Sequence, residues 1–165
     1  MVTLFLDHDG VMCTVRQYNL THNSKSWLRT GFNKANGIYP FDKKAVKILN
    51  LILEEVECEI VVSSDWKTYG TLEQLQEIYE LCGVNQTPIA VTPDHPTSMS
   101  HIEKNRAGEI LKYVKEHELT KYFAIDDLDL QGFLGKEHFQ ITAGDWEGIK
   151  KSGLKDKIIA KLKLL

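Results

Sequence analysis

The sequence predicts an α/β fold, a three-layer sandwich with a central, mainly parallel sheet between layers of helices, and three observations carry that expectation. Short apolar runs rich in β-branched and aromatic residues recur at 2–6, 59–62 and 122–125, as strands buried on both faces require. Between them lie longer stretches whose apolar residues return at helical spacing. Each of the three runs stops abruptly at polar residues: Asp7 and Asp9, Ser63 and Ser64, Asp126 and Asp127. Strands alternating with helices of this length imply parallel strands whose C-termini gather on one edge.

Val2-Thr3-Leu4-Phe5-Leu6 reads as the first buried strand, ending in the turn Asp7-His8-Asp9-Gly10. Residues 11–40 carry many Asn, Thr, Ser, Lys and Gly with scattered aromatics and no sustained period, so a loop or small flap is expected there. Ala45, Val46, Ile48, Leu49, Leu51, Ile52 and Val56 predict a helix over about 43–56 with Asp42 as its N-cap. The second strand covers 59–62. A helical stripe from Leu72 to Leu81 closes at Gly83, and Pro88 to Thr92 is a shorter strand candidate. Ile102, Ala107, Ile110, Leu111 and Val114 predict a helix over about 102–117, followed by the strand at 122–125. Phe139 to Thr142 is one more short strand, and Leu154 to Leu164 a basic amphipathic helix whose lysines form a solvated face.

With 165 residues, 42% of them hydrophobic, one domain over 1–165 is expected, large enough to bury a core without disulfides or a structural metal. Twenty Lys and Arg against 23 Asp and Glu leave a formal charge of −3, which offers no net attraction to nucleic acid or anionic membrane. Cys13, Cys58 and Cys82 are odd in number and far apart, which fits neither a disulfide framework nor a paired-cysteine zinc site and points to a reducing compartment. The first apolar run meets an aspartate too early for a signal peptide, and no run approaches the roughly 18 apolar residues of a spanning helix. A cytoplasmic location, no membrane association and no stable protein partner are therefore expected.

Ligands of an open α/β sheet bind beyond the strand C-termini, so four carboxylates are expected to meet there although they lie far apart in the chain. Carboxylates gathered in this way repel one another and need a cation. Hard oxygen ligands in a partly open site favour Mg²⁺, which keeps several waters and recruits phosphate oxygens.

The same residues resemble the haloacid dehalogenase (HAD) superfamily of phosphatases. Leu4-Phe5-Leu6-Asp7-His8-Asp9-Gly10-Val11 is similar to its first motif, a hydrophobic strand followed by Asp-x-Asp-Gly. Ile60-Val61-Val62-Ser63 matches the second, and Phe123-Ala124-Ile125-Asp126-Asp127 the fourth. For the third, a basic residue at the start of the helix before that strand, Arg106 and Lys104 compete. Arg106 is preferred because Arg106-Ala107-Gly108-Glu109-Ile110 looks like the helix start of small family members. Gly153-Leu154 before a closing helix also looks like the end of small HAD domains associated with RNA repair proteins.

The resemblance implies a HAD-like, Rossmannoid sandwich and a Mg²⁺-dependent phosphomonoesterase acting through an aspartyl phosphate. Asp7 would be the nucleophile, and Asp9 the acid for the leaving oxygen and then the base for the attacking water. Mg²⁺ would be held by the Asp7 carboxylate, the Asp9 backbone carbonyl and Asp127, with Asp126 acting through water or orienting a ligand. Ser63 and Arg106, or Lys104, would bind the phosphoryl oxygens. The resemblance also implies that the turn at Gly10 brings Asp9 toward the site. His8 stands where an apolar residue is common and reads as a spacer whose ring packs beneath the flap.

Neither interval between motifs is long enough for a large cap domain. An open site suits an exposed phosphoester, so the expected partner is a phosphorylated substrate such as a nucleotide or a nucleic acid end. Arg16, Tyr18, Trp27, Arg29 and Lys34 of the flap offer groups for base stacking and phosphate contact, or a solvated loop with an aromatic anchor. Trp66 and Lys67 reach toward the same crevice, with packing of the indole on the following helix as the plainer role. His95, His101 and His117 lack metal spacing and read as solvated. A metal-dependent nuclease gathers carboxylates at strand ends too, without needing the Asp7 nucleophile or Ser63. A receiver-like module has its acceptor on a middle strand, which here ends in Ser63. A non-catalytic phosphate-binding module is the remaining alternative.

Overall fold

The computed structural model of the chain describes residues 1–14, 40–94 and 101–165. Five strands form one parallel sheet: β1 (Val2–Leu6), β2 (Cys58–Val62), β3 (Ala90–Val91), β4 (Tyr122–Asp126) and β5 (Phe139–Ile141), in spatial order β3-β2-β1-β4-β5. Helix α1 (Lys43–Glu55) links β1 to β2, and α2 (Leu72–Cys82) links β2 to β3. Helix α3 (Ile102–Glu116) carries the chain from β3 back past β1 to β4, and α4 (Gln131–Leu134) joins β4 to β5. Helix α5 (Leu154–Leu162) follows. Right-handed crossovers put outward and returning connections on opposite faces of the sheet, and the core divides accordingly. Leu4, Leu6, Ile60, Val62, Phe123 and Ile125 pack with residues of α1, α2 and α5. Their alternate neighbours Phe5, Val61, Ala124 and Phe139 pack with Ala107, Ile110 and Tyr113 of α3 and Leu134 of α4.

The local sequence accounts for most boundaries. Asp42 Oδ1 accepts from the backbone N–H groups of Lys44 (2.8 Å) and Ala45 (3.3 Å), capping α1 as expected. Thr71 and Gln74 form a reciprocal capping box on α2, which ends at Gly83 in the left-handed conformation. The strand expected over Pro88 to Thr92 is reduced to Ala90–Val91 at the sheet edge, paired with Val61 and Val62, with Ile89 N–H donating to the Ile60 carbonyl at 2.9 Å. Helix α4 was not foreseen; Asp129 accepts from the N–H of Gln131 at 3.1 Å, and Leu130 and Leu134 anchor the turn in the core. The lysines near and on α5 do more than face solvent: Lys150 pairs with Asp42, Lys161 donates to the Phe139 carbonyl and Lys163 pairs with Glu55. No helix among the described residues is long and apolar enough to cross a membrane.

The flap residues Arg16, Tyr18, Trp27, Arg29 and Lys34, and His95, lie outside the described residues. Its expected start does not hold, because Val11, Met12 and Cys13 are buried in the core. All three N–H groups converge on the His8 carbonyl, at 3.2, 2.8 and 2.7 Å, which winds residues 8–13 into a tight turn. The C-terminal segment presses on that turn: Ile149 N–H donates to the Val11 carbonyl at 3.1 Å, and a Cβ on Gly148 (φ 53°) would lie 2.4 Å from the same oxygen. Gly148→Ala should therefore cost at least about 2 kcal/mol, strain plus a backbone clash. Gly83→Ala, also at positive φ but with no neighbour within 4 Å, should cost about 1 kcal/mol. Urea unfolding midpoints of the two variants measure the difference; equal losses would show that residues 148–149 are not held against the turn.

Candidate active site

The register of the three central strands builds the site. Leu6 is level with Val62 on one side and Ile125 on the other. One residue further, Ser63 N–H donates to the Leu6 carbonyl and Asp7 N–H to the Ile125 carbonyl, each at 3.0 Å. Asp7, Ser63 and Asp126 thus stand side by side at the C-terminal edge. This is where the sheet reverses its order, since β1 leads to β2 on one side and is flanked by the returning β4 on the other.

Oxygens of Asp7, Asp126 and Asp127 lie within 4.8 Å of one another. Asp7 and Asp126 are buried. Gly10 lets the turn close over this group: its φ is 71°, and a Cβ there would fall 2.3 Å from Asp127 Oδ2. Thr142 Oγ1 donates to the Gly10 carbonyl at 2.9 Å and fixes the other side of the turn.

Arg106 is the basic residue of the site. Its Nη1 lies 3.0 Å from both Asp7 Oδ1 and Asp126 Oδ2 and donates to the Ser63 carbonyl at 2.6 Å, while Nη2 reaches Asp65 at 3.1 Å. Arg106 shares the buried face of α3 with Ala107, Ile110 and Tyr113. Lys104, two residues earlier and roughly 200° around the helix, is exposed. Helix geometry thus brings Arg106, and not Lys104, to the carboxylates.

Charge is under-compensated here. Burial, followed by repulsion from Asp126, raises the Asp7 pKa well above the usual carboxylate range, although Arg106 pulls it down. Asp126 is pushed up to about 6, again chiefly by burial and against the pull of Arg106. Burial works against the Arg106 charge, but Asp7, Asp126 and Asp65 more than offset it and keep the guanidinium protonated. Among the described residues, three carboxylates against one guanidinium leave room for a divalent cation, and an all-oxygen donor set is one that Mg²⁺ accepts. The Ser63 hydroxyl is buried without a hydrogen-bond partner among the described residues, at the same level as Asp7, a polar atom that a phosphoryl oxygen would satisfy.

The carboxylates that meet are three, not four. Asp9 lies at the turn with its carboxylate outside the group, accepting a hydrogen bond from Trp66 Nε1 at 3.0 Å. Any share of Asp9 in holding a cation falls to its backbone carbonyl, as the family resemblance implied. His8 is fully buried, as the spacer reading requires: its Nε2 lies 2.9 Å from the Tyr79 hydroxyl, and its ring contacts Phe41 and Trp66. Burial and the nearby Arg106 charge push its pKa down to about 3, so the ring is neutral. Trp66 belongs to the core cluster that holds Leu75, Ile78 and Tyr79 of α2, but its bond to Asp9 was not foreseen. Tyr79, Asp65 and Thr142 were also missed as neighbours of the site. Only the nearness of Trp66 and Asp65 to Ser63 in sequence gave a signal. Lys67 turns away from the carboxylates toward Glu109 (2.9 Å), Asp94 (3.3 Å) and the Thr92 carbonyl (3.0 Å). His101 and His117 are exposed.

A segment of 94 residues, 56% of the chain, is 26% identical to the 3-isopropylmalate dehydratase large subunit of Lachnoclostridium phytofermentans, and it spans only 22% of that protein. Among solved structures, a haloacid dehalogenase-like family hydrolase from Streptococcus pneumoniae superposes with a TM-score of 0.47 and 12% identity, covering 94% of this chain and 90% of that one. The family described as the HAD domain in Swiss Army Knife RNA repair proteins matches residues 3–151. That span takes in both acidic strand ends, Ser63 and Arg106, and the chain belongs to this family of HAD domains.

Proposed function

We propose that the chain is a Mg²⁺-dependent phosphomonoesterase that forms an aspartyl phosphate on Asp7 and acts on phosphorylated substrates such as nucleotides or nucleic acid ends. Membership of the HAD family supports a HAD-type hydrolase. The observation that carries the finer reading is the convergence of Asp7, Asp126 and Asp127 within 4.8 Å, with Arg106 3.0 Å from two of them. The Asp7 carboxylate, the Asp9 carbonyl and Asp127 would hold the ion, and Asp126 would meet it through water or orient a ligand. Bound there, Mg²⁺ offsets negative charge on the carboxylates and on the phosphoryl oxygens.

An Asp7 oxygen attacks phosphorus as the bond to the leaving oxygen breaks, and protonated Asp9 gives its proton to that oxygen. Asp9, now a carboxylate, takes a proton from water, whose oxygen attacks phosphorus and releases inorganic phosphate from Asp7. Arg106 and the Ser63 hydroxyl donate to the equatorial phosphoryl oxygens, where charge spreads in a loose transition state.

Phosphate release from p-nitrophenyl phosphate and from 3′- and 5′-phosphorylated nucleotides and oligonucleotides tests this reading. Release should require Mg²⁺, stop with EDTA, and fall by at least about 10³-fold in Asp7→Asn, which lacks the nucleophile. Full metal-dependent activity in Asp7→Asn, or cleavage of internal phosphodiesters instead of terminal phosphates, would overturn it in favour of a nuclease.

Proton and cation compete for the same carboxylates. A carboxyl with a raised pKa holds its proton at mildly acid pH, so Mg²⁺ must displace it there and need not above that pKa. With Asp126 at about 6 and Asp7 raised as well, apparent Mg²⁺ affinity should rise at least about tenfold between about pH 5 and about pH 7. Calorimetric titration at the two pH values checks this. Affinity that does not change, or falls, would show that Asp7 and Asp126 do not meet the ion, directly or through water.

A further inference from the structure

The mechanism proposed above asks Asp9 to hold a proton for the leaving oxygen, and the structure surrounds that residue with a device the reaction itself does not demand. Asp9 is the partly exposed member of the turn, and its backbone is pinned by a bridge to Cys13, with the neighbouring Gly10 N–H donating to the Cys13 carbonyl at 2.9 Å. A backbone tie leaves an aspartate side chain its rotamers, so the direction of the carboxylate is set by what its oxygens meet.

Trp66 offers one such contact. Its indole is wholly buried, stacks on Phe41 (centroids 5.6 Å, interplanar angle 22°) and meets the edge of His8 (4.6 Å, 66°). Phe41 packs edge-on against Tyr79 (5.2 Å, 85°), and the Tyr79 hydroxyl lies 2.9 Å from His8 Nε2. Four rings from four places in the chain thus lock one another beneath the turn. The single polar atom of the indole is a donor and only a donor, and it is aimed at Asp9 Oδ2.

We infer that Trp66 is a positioning residue for Asp9: its N–H, made immobile by the ring cluster, fixes the Asp9 carboxylate beside the anionic group instead of within it and makes Oδ2 the accepting oxygen. This rests on the aspartyl-phosphate reading of the site. The proton delivered to the leaving group is then carried on Oδ1. Packing alone does not explain the arrangement, because a phenylalanine ring would fill the cluster without needing Asp9 above it.

Proton donation matters most for esters whose leaving oxygen is a strong base. The test compares kcat/KM for p-nitrophenyl phosphate, whose phenolate leaves without a proton, with that for glycerol 2-phosphate, whose alkoxide does not. In Trp66→Phe the ratio of the first to the second should rise about tenfold or more, and in Asp9→Asn it should rise further. In Asp9→Asn the added Trp66→Phe change should leave the ratio within threefold of the single variant, because the partner is already lost.

A purely structural role lowers both esters together and leaves the ratio where it was, which would overturn the inference while the phosphatase reading stands. No Asp7-dependent release from either ester by the unaltered chain would overturn both. A second measurement does not depend on the folding of Trp66→Phe. The chain has three tryptophans, Trp27, Trp66 and Trp146, and Asp9→Asn should shift the Trp66 indole ¹H–¹⁵N signal while leaving that of Trp146 in place. An unmoved Trp66 signal would show that the bond to Asp9 does not form in solution.

Discussion

The constraint on which this site depends is the mutual repulsion of Asp7, Asp126 and Asp127. Parallel pairing brings Asp7 and Asp126 level by hydrogen bonds that the strands make regardless of charge, so the sheet itself forces the encounter. Isolated buried carboxylates would pick up protons sooner than share such a place, and the raised pKa values of Asp7 and Asp126 record that tendency. Arg106 relieves part of it. One guanidinium bridges two of the acids and the Ser63 carbonyl at once, a task for which its planar, multi-donor head is suited and a lysine ammonium is not. What Arg106 leaves uncompensated is the attraction that a cation and a phosphoryl group would meet.

A site that repels itself must be held from outside. The turn after β1 is tied at several points: the His8 carbonyl gathers three N–H groups, Thr142 holds the Gly10 carbonyl from the end of β5, and Ile149 holds the Val11 carbonyl from the C-terminal segment. Two of these ties reach the turn from more than 130 residues further along the chain. Stability of the chain and placement of Asp7 are therefore not separable here, because the residues that close the core also fix the turn.

The sheet and its connecting helices were legible because each rests on a local pattern. Apolar runs named the strands, helical spacing named α1, α2 and α3, and Asp42 and Gly83 marked helix ends through side-chain and backbone properties of single residues. Asp7, Ser63, Asp126 and Asp127 were legible for a related reason: polar residues closing buried strands converge whenever the strands are parallel neighbours. Arg106 against Lys104 was open in sequence because both begin the same helix; only the phase of its buried face separates them. The bond from Trp66 to Asp9, the partnership of His8 with Tyr79 and the clasp of Thr142 on Gly10 join residues 57, 71 and 132 positions apart. Such pairs arise from tertiary packing, and no local period encodes them. The short α4 and the burial of Val11, Met12 and Cys13 at the expected start of the flap were missed because a single turn has too few residues to show a period.

The neutral rings under the turn give the charged side of the site its strength. His8 is a polar residue in the centre of this floor, and burial keeps it uncharged with its pKa near 3, so it adds no positive charge to compete with Arg106 for the carboxylates. The arrangement costs stability in acid, where the unfolded chain gains a proton on His8 that the folded chain refuses, a loss that begins as pH falls through about 6.5 and continues toward 3. The return is electrostatic. Rings that exclude water below Asp7 lower the local dielectric, and each interaction between Arg106 and a developing anion is stronger for it. Placing the acids on the open edge and the aromatic groups behind them thus uses one buried face to do two things, to seal the core and to sharpen the field in which phosphoryl transfer would occur.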